Sequence, residues 1–555
     1  MSDLTIARSV KLSPIVDVAE RLGVSPDEIE PYGRYAAKLP LWLSAPDAPR
    51  RGKLILVSAM TPTPAGEGKT TATIGLTDAL NRIGRRAVAV LREPSLGPVF
   101  GLKGGATGGG RAQVAPMDFI NLHFTGDFAA VTAAHNLLAA VVDNDLHQRK
   151  STHGLDLTSV RWKRVLDVND RALRQIVVGL GGRTNGLPRE SGFDITAASE
   201  VMAAMCLCDS LAHLKEKLGG IFVGRTQDKR PLYARDFNVH GAMTALLRDA
   251  LKPNLAQTLE GNPAIIHLGP FANIAQGTNS VIATRAGLRL SDYVVTEAGF
   301  GFDLGGEKFL HIKCRTSGLA PAVVVLVATV RGLKYQGGAA LEALHEPDLA
   351  ALERGFDNLE KHLENVRRFG LEPVVAINRF TSDTSAELDW VQARCTAMGT
   401  ASAISEAWAY GGAGAETLAH EVVAAVERAT GHWQPLYALT DPIERKIETV
   451  ATHIYGASDV RFLSKARADL RLIAELGLTQ LPICIAKTQK SFSDDPTRLG
   501  RPRDFTLTIR EVEIAAGAGF VIPIAGDLVR MPGLPAVPAS ERIDIDAEGN
   551  ITGLS

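Results

Sequence analysis

"KLILVSAMTPTPAGEGKTTATIGLTDALNRIG" (53–84) opens with an apolar run of strand length and closes with a helical pattern. Ile74, Leu76, Leu80 and Ile83 fall roughly on one helical face, and Gly84 is placed to end the helix. The turn between them approaches the phosphate-loop pattern G-x-x-x-x-G-K-[ST]. Gly68, Lys69 and Thr70 fit it, but Thr63 stands where the first glycine belongs. A strand, a glycine-rich turn and a helix together aim backbone N–H groups and a helix N-terminus at an anion. We read Thr63, Pro64, Ala65, Gly66, Glu67, Gly68, Lys69, Thr70 and Thr71 as the candidate nucleotide contacts. Lys69 would bring a positive charge to the terminal phosphates, and Thr70 a hydroxyl to Mg²⁺. The bland alternative is an ordinary strand-to-helix turn with a solvated lysine. The correct flanks favour the nucleotide loop.

Working outward, strands are expected at 53–59, 87–91, 264–268, 293–298, 322–330, 373–378 and 401–405. Several are apolar throughout, as strands buried on both faces of a parallel sheet should be. Amphipathic helices lie between them, the clearest being "ERGFDNLEKHLENVRRFG" (353–370), which Gly370 closes. The expected fold is α/β, a P-loop-type doubly wound and mostly parallel sheet with ligands at the carboxyl ends of the strands. Beyond about residue 435 the text changes to charged helical stretches, then to "RDFTLTIREVEIAAGAGFVIPIAGDL". The expected division is a nucleotide-binding α/β domain over 1–355, a second α/β domain over 356–435 and a small α+β domain over 436–555. The first of these could be discontinuous.

The whole chain excludes several classes of function. Its 555 residues are 45% hydrophobic and 22% charged, with a formal net charge of −1. No overall field draws it to nucleic acid or to an anionic membrane. The five cysteines lack zinc-type spacing, and Cys206 and Cys208 sit in an apolar helical pattern that reads as buried thiols. The N-terminus has no signal-type apolar core, and "PAVVVLVATV" (321–330) is too short to span a bilayer. The expected compartment is the cytoplasm.

Polar candidates collect after the predicted strands. Arg92 and Glu93 leave strand 87–91, followed by the glycine-dense "GLKGGATGGG", in which Lys103, Gly104 and Gly105 are candidate substrate contacts. Such glycine density permits close approach to an anion, although a flexible surface loop has the same composition. His123 and Asp127 in "NLHFTGD" are further candidate contacts, each also a common structural hydrogen-bonding residue. Asn378, Arg379 and Phe380 end strand 373–378, and Trp408 follows 401–405. Two aromatics at neighbouring strand ends favour a flat ring held between them over packing alone.

These runs carry a resemblance. From about residue 10 to the end the chain resembles the formate–tetrahydrofolate ligase family, most closely in "GLKGGATGGGRAQV" (101–114) and "VATVRGLKYQGG" (327–338). "TPTPAGEGKTT", "LREPSLGP", "NLHFTGD", "NGLPRESGFDI", "TEAGFGFDLGGEKF", "CIAKTQKSFSDDP" and "MPGLPAVPA" support it. The sequence departs from the family at Thr107 and Gly332, where alanine is common, and at Arg111, where tyrosine is usual. Arg111 adds a charge beside a candidate ligand loop. The resemblance implies ATP-dependent joining of formate to tetrahydrofolate, with or without a polyglutamate tail, through formyl phosphate. It implies Lys69 and its loop at ATP, Arg92 at the formyl phosphate, and Phe380 and Trp408 around the pterin. It further implies Mg²⁺ with the nucleotide, a monovalent cation (K⁺ or NH₄⁺) and a homotetramer. The competing reading is a nucleotide-switched assembly or metal-insertion ATPase or GTPase using the same loop. A folate-binding protein without catalysis is a third, against which Lys69 and Arg92 argue.

Overall fold

The computed structural model describes residues 2–554 apart from 48, 50, 65, 104–106, 149–152 and 432. A 12-stranded sheet runs through the molecule. Its parallel strands are β1 (Lys53–Ala59), β2 (Ala87–Leu91), β3 (Pro263–Ile266), β4 (Tyr293–Glu297), β5 (Pro321–Ala328), β6 (Pro373–Asn378) and β7 (Ala401–Ser405). They lie side by side in the order β3-β2-β4-β1-β5-β6-β7, each parallel to its neighbours. Every one coincides, within a few residues, with an apolar run of the sequence.

Register explains why those runs do not alternate in polarity. Ala264, Ala89, Val295, Ile55 and Val323 form one cross-sheet row. They belong to a buried cluster that includes Ile74, Leu76 and Leu80 of the helix Lys69–Arg82 and Leu418 and Val422 of the helix Glu416–Arg428. Their neighbours Leu54, Val88, Val294, Val324 and Ile265 point the other way, into a second cluster with Phe356, Leu359 and Leu363 of the helix Leu349–Arg368. Both faces are dry, so both side-chain sets must be apolar.

Two differences from the sequence reading have physical causes. The helix Lys69–Arg82 is buried from Ala72 to Leu80 rather than along one face, because the turn Gly411–Ala415 and the helix after it pack on its outer side. The strand Asn254–Thr258, antiparallel to β3, carries no apolar signal although all five residues are buried. Its polar groups are satisfied from afar: Asn254 Nδ2 donates to Asp127 Oδ2 (2.9 Å), and Gln257 Nε2 to the Ser13 carbonyl (2.8 Å).

"PAVVVLVATV" is β5 and its exit, and among the described residues no helix is long and apolar enough to cross a membrane. All five cysteines are free and buried. Near the C-terminus a three-stranded sheet (Asp459–Phe462, Thr506–Ala515, Phe520–Ala525) forms, and its Leu507 and Ile509 join the same apolar cluster as Phe356.

Candidate active site

The chain leaves β1 towards β2 on one side, whereas β5 leads to β6 and β7 on the other. Ligands of doubly wound sheets bind where connections diverge in this way. The loop after β1 is fixed at its start by the helix Leu349–Arg368. Thr61 N donates to Asn358 Oδ1 (3.2 Å), Asn358 Nδ2 donates to Thr61 Oγ1 (2.9 Å), and His362 Nε2 lies 3.1 Å from that hydroxyl.

Thr63 has its own use where a glycine was expected. Its N–H and hydroxyl both donate to Glu67 Oε1, at 2.7 and 2.9 Å, which ties the loop across its width. Gly68 is left-handed (φ +71), and a Cβ there would stand 3.0 Å from Asn378 Nδ2. That amide, at the carboxyl end of β6, donates to the Glu67 and Gly68 carbonyls (2.8 and 3.3 Å). The helix then begins at Lys69, its first bond running from Ala72 N to the Gly68 carbonyl (2.9 Å). The N–H groups ahead of Ala72 have no partner within the helix and are available to an anion.

Charged groups gather in front of this turn. Thr70 Oγ1 donates to Glu297 Oε2 (2.9 Å), at the carboxyl end of β4. Arg92, just past β2, has Nη2 3.7 Å from Glu297 Oε1 and donates from Nη1 to the Pro270 carbonyl (3.4 Å). Among the described residues its buried Nε has no hydrogen-bond partner. Burial draws the Lys69 pKa below its usual value, the Glu67 and Glu297 carboxylates push it back up, and Arg92 lowers it further. Lys69, Thr70, Arg92, Glu67 and Glu297 therefore share one electrostatic environment. A phosphate entering it would favour the charged form of Lys69.

The other candidates divide. Glu93 and Asp127 lie together in the interior, with Lys38 Nζ 2.6 Å from Asp127 Oδ1. Burial, then the Asp127 charge, holds the Glu93 carboxyl well above its usual range. His123 is exposed. Ala65, Gly104, Gly105 and the side chain of Lys103 lie outside the described residues. Of the glycines that follow, Gly109 and Gly110 lie against Trp408. Gly110 is left-handed (φ +60), and a Cβ on it would stand 2.0 Å from the Trp408 carbonyl and 2.8 Å from the indole. Arg111 N donates to that same carbonyl (2.8 Å), while its side chain is exposed. Trp408 itself is 52% exposed, on the short helix Ala407–Tyr410 after β7. Phe380, after β6, is half-buried beneath the Arg331 guanidinium.

Sequence reasoning missed Glu297, Asn358 and Arg331 and did not assign Asn378 to the site. A carboxylate ending the apolar run "YVVTE" and an amide ending "PVVAIN" were the available signals for two of them. Among the described residues no group of three or more His, Cys, Asp or Glu side chains is placed to hold a metal ion. The Thr70 hydroxyl and Glu297 carboxylate suit instead a Mg²⁺ that brings phosphate and water ligands with it.

Fold and site together define an α/β protein in which Lys69, Arg92 and a glycine-containing turn gather at the carboxyl edge of a parallel sheet. The sequence model of formate–tetrahydrofolate ligase matches residues 1–555. The chain is 56% identical to a formate–tetrahydrofolate ligase of Methylococcus capsulatus over 559 residues, covering all of both chains. It is 55% identical to that of Granulibacter bethesdensis, covering all of this chain and 97% of the relative. To that of a Psychrobacter species it is 54% identical, covering all of this chain and 99% of the relative. The chain belongs to the formate–tetrahydrofolate ligase family.

Proposed function

We propose that this protein joins formate to tetrahydrofolate at the expense of ATP, giving 10-formyltetrahydrofolate, ADP and phosphate through formyl phosphate. Full-length family membership carries the reading. The convergence of Lys69, Thr70, Arg92 and Glu297 at the carboxyl ends of β1, β2 and β4 supports its chemistry.

Formate is a poor acyl donor because its carboxylate repels nucleophiles and has no good leaving group. A formate oxygen attacks the γ-phosphorus, ADP leaves, and the resulting acyl phosphate carries phosphate as its leaving group. N10 of the folate then attacks the formyl carbon, the C–O bond to phosphate breaks, and the amine loses its proton. Two anions must first be held together, so neutralisation and positioning are the main demands on the protein. The loop N–H groups and Lys69 hold the phosphates of ATP. Arg92 reaches formate and then formyl phosphate, with its Nε, unpartnered among the described residues, as one of the donors. Thr70 and Glu297 would hold a nucleotide-borne Mg²⁺, which would supply further neutralisation of the phosphates. The same reading includes a monovalent cation (K⁺ or NH₄⁺), which the family resemblance implies.

Phe380 and Trp408, from the ends of adjacent parallel strands, take the two faces of the pterin. Stacking on an aromatic side chain elsewhere contributes roughly 1–3 kcal/mol by alanine substitution. Trp408→Ala should therefore weaken tetrahydrofolate binding by roughly 5- to 150-fold, at about 1.4 kcal/mol per factor of ten. Phe380→Ala should act in the same direction, with ATP affinity nearly unchanged in both. Calorimetric titration of each ligand, beside a melting curve, checks this. Unchanged folate affinity with a lowered melting temperature would make both rings packing residues and remove them from the folate site.

A further inference from the structure

Phe380 meets the proposed folate site already engaged on one side. The Arg331 guanidinium carbon lies 3.5 Å from the centroid of its ring, the closest cation–π contact among the described residues. Arg331 is the second residue of the helix Val330–Gln336, which follows β5 directly. Thr329 caps that helix by accepting from Gly332 N (2.9 Å), so the arginine's backbone is fixed at the carboxyl edge of the sheet. Phe380 leaves the neighbouring strand β6, and its own turn is closed in both directions. Phe380 N donates to Asp383 Oδ2 (2.8 Å), and Asp383 N to the Phe380 carbonyl (3.0 Å).

Two carboxylates act on the guanidinium. Burial lowers the Arg331 pKa, while Asp383 and then Glu67 oppose that shift. One belongs to the turn that carries Phe380, and the other to the loop that carries Lys69. A planar cation drawn by both and laid on the ring restricts its tilt, because leaving the face would forfeit the quadrupole attraction. It also leaves a single face of Phe380 for a flat ligand. An aromatic at the end of a strand otherwise has rotamer freedom that binding would have to remove.

We infer that Arg331 is a positioning residue for the folate substrate: it fixes the plane of Phe380 so that the ring's opposite face is presented to the pterin. The inference rests on the folate reading given above. Arg331 acts through Phe380 and need not touch the substrate.

The test is a double-mutant cycle on the full-length protein, with tetrahydrofolate and ATP each titrated calorimetrically and melting curves recorded. Cation–π contacts of this kind contribute about 0.5–2 kcal/mol, so Arg331→Met should weaken tetrahydrofolate binding roughly 2- to 30-fold and leave ATP binding within about 2-fold. Arg331→Lys keeps the charge but not the flat stacking surface, so its loss should be intermediate. It also provides the comparison should Arg331→Met fail to fold. In a Phe380→Ala background either substitution at 331 should have no further effect on folate affinity. Additive losses would show that Arg331 acts independently of the ring and overturn the inference, as would an unchanged affinity in the single Arg331 variants. Phe380→Ala reads the underlying site separately. If it alone leaves folate binding intact, the folate assignment of that ring fails, and this inference with it.

Discussion

Lys69→Ala should leave a folded protein whose turnover falls on the order of 10²-fold or more, because one preorganised charge is removed from a developing phosphoryl-transfer transition state. Lys69 opens the helix Lys69–Arg82, where burial and then the charges of Glu67, Glu297 and Arg92 set its environment. Alanine is the strongest helix former, and the buried stretch of this helix starts only at Ala72, so the fold should tolerate the change. The loop retains its N–H groups and its ties to Asn378 and Asn358. ATP should still bind, though more weakly, and the larger loss should lie in kcat. Near-normal turnover in a folded variant would mean that this loop does not serve the reaction.

Arg92→Ala should lower kcat by a comparable factor, about 10²- to 10³-fold, while changing ATP affinity only a few-fold. Arg92 is held by Glu297 and the Pro270 carbonyl, and among the described residues its buried Nε has no partner. Its removal takes away a fork suited to two anionic oxygens and one of the cations that offset Glu297. Arg92→Lys should recover only part of the rate, since an ammonium supplies the charge without the planar pair of donors. Steady-state kinetics and nucleotide titration of both variants separate these effects. A large loss of ATP affinity with kcat preserved would place Arg92 at the nucleotide and not at the acyl phosphate.

The parallel sheet was legible because burial on both faces makes its strands apolar throughout, as β1 and β5 show. The strand Asn254–Thr258 was not, because its buried polar groups are balanced by Asp127 and Ser13, far away in sequence. The turn that carries Gly68, Lys69 and Thr70 was legible for a local reason: an apolar strand ends before it and a helix begins at Lys69. Glu297 and Asn378 reach that turn across 227 and 310 or 311 positions, and no spacing rule announces such partners. The glycine-dense run after Arg92 was read as an anion loop; its Gly104 and Gly105 lie outside the described residues, while Gly110 accommodates Trp408. Composition revealed the need for close approach but not what approaches. Phe380 could be read as a strand-end aromatic, whereas the cation on its face comes from the separate strand-to-helix turn after β5.

The central claim is that the γ-phosphate is transferred to formate before the folate is formylated. It is tested most directly with ¹⁸O-labelled formate, ATP and tetrahydrofolate, by mass analysis of the phosphate released. If formyl phosphate forms, the oxygen that attacked phosphorus leaves with it when N10 takes the formyl group. One labelled oxygen should then appear in inorganic phosphate for each formyltetrahydrofolate made, with ADP formed in step. Unlabelled phosphate accompanying the same yield of formyltetrahydrofolate would contradict the acyl-phosphate route.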